Sequence, residues 1–209
     1  MERRESNRMA TLINDPQLCT FIHIPKTGGN SVTNWLQTNF NTTVTKGKQH
    51  ATVFEAKDRL GLDDIGWTYC VVRNPWDWVV SWYEFRLMTN RYYLDLALKG
   101  TPRHKQSREV CEDNLKRLES LGFIGWAKKG KFKIQHNWAK DVDIIMKLDK
   151  IEEDFKFIQE KLNCFEPLPL LNKTHSRKEK DYRKYYDNYT IDLVKEKCKI
   201  DIENYGFEF

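Results

Sequence analysis

Apolar positions along the chain fall into short continuous runs that alternate with stretches of helical spacing. Leu18-Cys19-Thr20-Phe21-Ile22-His23-Ile24 is short and β-prone and predicts a strand. Pro25-Lys26-Thr27-Gly28-Gly29-Asn30 interrupts it as a loop. From Ser31 to Phe40 the spacing turns helical, with Val32, Trp35, Leu36 and Phe40 at i, i+3, i+4 and i+8. The same grammar returns twice. Trp67 to Val72 predicts a strand ended by Arg73-Asn74-Pro75, and Trp76 to Met88 a helix with Val79, Val80, Tyr83 and Leu87 on one side. Val142 to Leu148 predicts a third strand, followed by a helix marked by Ile151, Phe155, Ile158 and Leu162. Near the end, Leu193, Val194, Cys198 and Ile202 keep helical spacing before an aromatic close, Tyr205 to Phe209.

Strands alternating with helices predict an α/β fold around a parallel sheet. Ligands of such sheets sit at the carboxyl ends of the strands. Both loops singled out above leave that edge. Residues 1–16 read as a polar tail ending at Pro16, and residues 17–209 as a single domain. Lys99 to Arg108 is basic, without an acidic residue, and is a candidate mobile loop.

The 209 residues suffice for one domain with its own core, and 40% hydrophobic with 31% charged residues is a globular composition. The net charge of +5 suits an anionic ligand but is too small to establish nucleic-acid binding. No apolar run reaches the roughly 18 residues of a membrane span, and the first residues contain no apolar stretch of signal-peptide type. The five cysteines are odd in number and widely spaced, with no CxxC, which argues against a disulfide framework and a zinc site. Together these predict a cytoplasmic setting.

Pro25-Lys26-Thr27-Gly28-Gly29-Asn30-Ser31 carries candidate chemistry. A glycine pair before a helix lets backbone N–H groups approach an anion, and the helix terminus adds its dipole. Lys26 supplies charge, and Thr27 and Ser31 supply hydroxyls. The lysine precedes both glycines, so the segment is not a Walker loop. Arg73, ending the second strand, can grip a phosphate with its guanidinium fork, and Ser81 lies eight residues on in the next helix.

His23 to Ser31 resembles the 5′-phosphosulfate loop of the carbohydrate sulfotransferases of the heparan and chondroitin type, usually written HIPKTGGTS, with Asn30 in place of the commoner Thr. Cys70 to Tyr83 resembles the 3′-phosphate motif of that family, in which the equivalents of Arg73 and Ser81 bind the 3′-phosphate; many relatives carry Arg where Trp78 stands. Asp143 to Phe155 is similar to the family's third strand and following helix. Asn172-Lys173-Thr174-His175 and the aromatic C-terminus are similar to its last region, which adds Lys173 to the donor-binding residues. Residues from about 90 to 135 match poorly, and acceptor specificity is expected there.

The resemblance implies a P-loop-like three-layer α/β fold with a central parallel sheet flanked by helices. It implies a sulfotransferase that takes 3′-phosphoadenosine 5′-phosphosulfate (PAPS) as co-substrate and sulfates a hydroxyl, expected on a saccharide, with no metal required. Eukaryotic relatives are usually anchored in the Golgi membrane; without a visible anchor, this chain is expected to be a bacterial or viral member. Relatives often carry a His or a carboxylate between the two donor motifs as base, which points to His50, with Glu55 in reserve. His23 reads as structural. Two other readings stay open: a P-loop-like nucleotide or small-molecule kinase, and a basic nucleic-acid-binding module built on Lys128 to Lys133 and Lys173 to Lys184.

Overall fold

A computed structural model describes residues 10–13, 18–45, 50–99, 108–130, 132–171 and 177–209. In chain order its elements are β1 (Ala10–Ile13), β2 (Cys19–Ile22), α1 (Gly29–Asn39), β3 (Thr42–Val44), α2 (Val53–Leu60), β4 (Trp67–Val72), α3 (Pro75–Leu98), α4 (Arg108–Lys129), α5 (His136–Ala139), β5 (Ile144–Lys147), α6 (Ile151–Lys161), α7 (Asn188–Lys197) and α8 (Lys199–Tyr205), with 3₁₀ turns at Leu148–Lys150 and Tyr182–Tyr185. The chain divides into two compact units: residues 1–74 with 133–173, and residues 75–132 with 174–209.

The first unit is α/β and holds the whole sheet, in the order β3-β1-β2-β4-β5. β2, β4 and β5 are parallel, as expected, with Ile22 opposite Cys70 and Val72 opposite Lys147. The sheet as a whole is mixed, which corrects the all-parallel expectation: β1 pairs antiparallel with both β2 and β3. Only residues 14–18 separate β1 from β2, and a parallel return needs a crossover of about a dozen residues or more. The tail expected over 1–16 therefore contains a strand, and all four of its residues are buried.

Val32, Trp35 and Leu36 of α1 and Phe155 and Ile158 of α6 pack with Phe21, Tyr69, Val71 and Met146 of the sheet into one core. Trp35 meets Phe155 edge-on at 4.9 Å, and its indole N–H donates to the Glu166 carbonyl at 2.7 Å. α6 opens on Glu152, Glu153 and Asp154 and closes on Lys161, complementing its dipole at both ends. Asp143, just before β5, accepts from both the N–H and the hydroxyl of Thr68 and locks the start of β5 to β4.

The described elements of the second unit are helices and one 3₁₀ turn, with α4 kinked at Gly122, where the backbone leaves helical geometry. α3 runs on to Leu98, beyond the expected end at Met88, because no Gly or Pro occurs between Pro75 and Gly100. Its Trp76, Trp78, Val79, Val80, Tyr83 and Leu87 pack with Phe123 of α4 and Val194 of α7. Tyr186 fixes the C-terminal segment: its hydroxyl donates to the Trp76 carbonyl at 2.8 Å and its ring meets Phe123 at 4.8 Å. Residues 100–107 of the basic loop, including His104, lie outside the described residues.

Candidate active site

The first loop begins where β2 ends. Lys26 has a positive φ of 66°, in the left-handed region that costs a side-chain-bearing residue about 1–2 kcal/mol. Gly28 follows at φ 82° as the N-cap of α1. Two local hydrogen bonds close the turn: the Thr27 hydroxyl donates to the Ile24 carbonyl at 2.9 Å, and the Ser31 N–H donates to the Gly28 carbonyl at 2.9 Å. This revises one expectation. The Thr27 hydroxyl, expected to serve an anion, is buried and satisfies Ile24 instead, because a buried carbonyl left unpaired is costly. Ser31 Oγ accepts the Leu171 N–H at 3.1 Å and still has its own proton to donate. Pro25 is buried, whereas Gly28 and Asn30 are exposed.

Gly29 is required by packing. A Cβ there would lie 2.1 Å from Cδ2 of the His23 ring. His23 is 7% exposed and stacks on Phe21 at 5.9 Å.

The second loop begins at Arg73, past the end of β4. Its Nη1 donates to the Lys26 carbonyl at 3.0 Å, so a guanidinium grips the strained peptide of the first loop. Two cations thus share one site. Burial, helped by the Arg73 charge, pulls the Lys26 ammonium from an ordinary 10.5 to about 8. Arg73 itself is clamped by Gln135, whose Oε1 accepts the Arg73 N–H at 2.9 Å and whose Nε2 donates to the Arg73 carbonyl at 2.8 Å.

His50 stands beside this pair of loops. Its Nδ1 lies 2.6 Å from the His23 carbonyl. A carbonyl can only accept, so Nδ1 carries the hydrogen and Nε2 is the nitrogen left to take a proton. The His23 and His50 rings meet edge to face at 4.7 Å. Burial lowers the His50 pKa from 6.5, the His23 hydrogen bond opposes that, and the Lys133 charge adds to the lowering. The His50 carbonyl accepts the Trp138 indole N–H at 3.2 Å.

Glu55 has another occupation. It closes the capping box of α2, accepting the Thr52 N–H at 2.8 Å while its own N–H donates to the Thr52 hydroxyl, and its other oxygen lies 3.8 Å from Arg59. A carboxylate spent on a helix start is a poor candidate for moving an acceptor's proton.

Ser81 belongs to the second unit. It is 9% exposed and shares one face of α3 with Asp77 and Glu84, at i, i+4 and i+7. Asp77 pairs with Arg177 at 2.8 Å, and Glu84 accepts the Tyr185 hydroxyl at 2.6 Å. Lys173 and His175 lie outside the described residues.

Sequence reasoning missed Gln135 and Trp138. Ile134-Gln135-His136-Asn137-Trp138 has neither a motif nor an apolar period, and nothing in its composition sets Gln135 apart. Among the described residues no group of three or more His, Cys, Asp or Glu side chains is placed to hold a metal ion, and no helix is long and apolar enough to cross a membrane. Compared with protein-family models, curated proteins and solved structures, the chain matches none.

Proposed function

We propose that the protein is a PAPS-dependent sulfotransferase acting on a hydroxyl of a saccharide, and that its first unit is a P-loop-like three-layer domain. One observation carries this reading: Lys26 and Arg73, two cations, are held together against a glycine turn at a helix start. Burial above all, and then the Arg73 charge, lower the Lys26 pKa, and a bound anion offsets both. The resemblance of the two loops to the sulfotransferase motifs makes that anion a phosphosulfate donor.

The donor, when bound, supplies the sulfuryl group. His50 Nε2 takes the acceptor's proton as the acceptor oxygen bonds to sulfur. The bond from sulfur to the bridging phosphate oxygen breaks, and the Lys26 ammonium offsets the charge left on that oxygen. The loop amides and the Ser31 hydroxyl hold phosphate oxygens. Arg73 takes the 3′-phosphate, the role the resemblance gives it.

Titration calorimetry with 3′-phosphoadenosine 5′-phosphate (PAP) and with ADP tests the reading. Loss of one charge-assisted phosphate contact costs about 1.5–3 kcal/mol, so PAP is expected to bind at least about tenfold more tightly than ADP. Equal affinities would favour a nucleotide kinase and overturn the proposal.

A further inference from the structure

β4 ends at Val72, and the next residue still has a backbone N–H and a carbonyl to satisfy. Gln135 supplies both partners. Its side chain is fully buried, and its primary amide accepts from Arg73 N–H and donates to the Arg73 carbonyl, as a neighbouring strand would. Arg73, fixed in this way, grips the carbonyl of Lys26 in its left-handed conformation. Three residues farther on, Trp138 holds the backbone of His50.

We infer that Gln135 is a positioning residue for the donor site, acting through Arg73 on the Lys26 peptide, and that the segment from Lys133 to Trp138 braces both candidate chemical groups. The segment therefore serves the donor side, although sequence reasoning placed it at the margin of a region expected to select the acceptor. A Gln is suited to the task because one side chain carries a donor and an acceptor of the same geometry as a peptide. Gln135→Met keeps length and bulk and loses both bonds. Gln135→Glu keeps the acceptor for Arg73 N–H and loses the donor to the Arg73 carbonyl.

The donor arm of the test rests on the function proposed above. PAP and AMP, which differ by the 3′-phosphate, are titrated into wild type and both variants, with thermal melts to confirm folding. Wild type is expected to prefer PAP. Gln135→Met is expected to lose about tenfold in PAP affinity while AMP affinity stays within about twofold, and Gln135→Glu to fall between. A general loss of stability would weaken both ligands together and leave their ratio unchanged, and an unchanged ratio in folded Gln135→Met overturns the inference while sparing the donor reading. If wild type does not distinguish PAP from AMP, the donor reading fails instead. The inference is then decided without ligand, by amide exchange at Lys26 to Gly29. Exchange there is expected to quicken about tenfold in Gln135→Met, and unchanged rates overturn it. Should Gln135→Met not fold, Gln135→Glu is judged by the same two readouts.

Discussion

The loops after β2 and β4 leave the same edge of one sheet and are held in different ways. The first is largely self-contained: Thr27 bonds three residues back to Ile24, Ser31 bonds back to Gly28, and Gly28 admits the left-handed backbone path. The second borrows its rigidity. Arg73 is held by Gln135, sixty-two positions along the chain. A glycine turn writes its geometry into consecutive residues, whereas a lone arginine at a strand end must be aimed by whatever folds against it. His50 draws on both supports, with its ring bonded to the carbonyl of His23 just before the first loop and its own carbonyl bonded to Trp138 of the bracing segment.

That double support makes His50 the most sensitive position. General-base catalysis contributes about 10²–10⁴-fold, so His50→Ala is expected to lower turnover by that factor with PAP binding near wild type. Glu55→Gln, measured beside it, is expected to retain turnover and to lose a little thermal stability through the weakened capping box. The reverse pattern would make the carboxylate the base.

Lys26→Ala probes the self-contained loop. Removing a group that stabilises charge arising in the transition state costs about 10²–10³-fold in turnover. The loop amides and Arg73 still hold the ground state, so the dissociation constant for PAP is expected to change much less. A raised KM with unchanged turnover would reduce Lys26 to a binding group.

Gly29→Ala asks how much of that loop is truly local. The added methyl collides with the His23 ring, and overpacking of this kind costs about 1–3 kcal/mol in a denaturant melt. His23→Ala in the same chain removes the collision, so the double variant is expected to be more stable than the sum of the two single losses. Simple additivity would show that the helix start, rather than the ring, excludes a side chain there.

The smallest effect is in pH. An unfolded lysine titrates near 10.5 and Lys26 in the folded chain near 8, so between those values the folded state holds fewer protons and stability rises with pH. Below about 8 the cost of the buried charge is fully present. Turnover has the opposite preference, because the ammonium is what offsets the charge on the leaving oxygen, and it is expected to fall as pH rises through about 8. With His50 charged only below its lowered pKa, kcat/KM is expected to climb with a midpoint under 6.5 and to decline near 8. Lys26→Arg is expected to remove the alkaline decline and leave the acid limb in place.

The three parallel strands, the helices behind them and the first loop were legible in the sequence because each depends on neighbours in the chain. Val32, Trp35 and Leu36 share a helix face by spacing alone, β4 was legible from end to end as an apolar run, and Gly28 and Gly29 mark a turn wherever they occur between a strand and a helix. β1 was not legible, since four residues beside a polar stretch carry no period; only pairing with β2 and β3 makes them a strand. Glu55 read as a free carboxylate until its helix start claimed it. Arg73 could be named from its motif, but its orientation, the tautomer of His50 and the work of Gln135 and Trp138 came only from the tertiary structure. Their hydrogen bonds join residues 27 to 88 positions apart, and at such separations the folded backbone, rather than the local pattern, decides which polar groups meet.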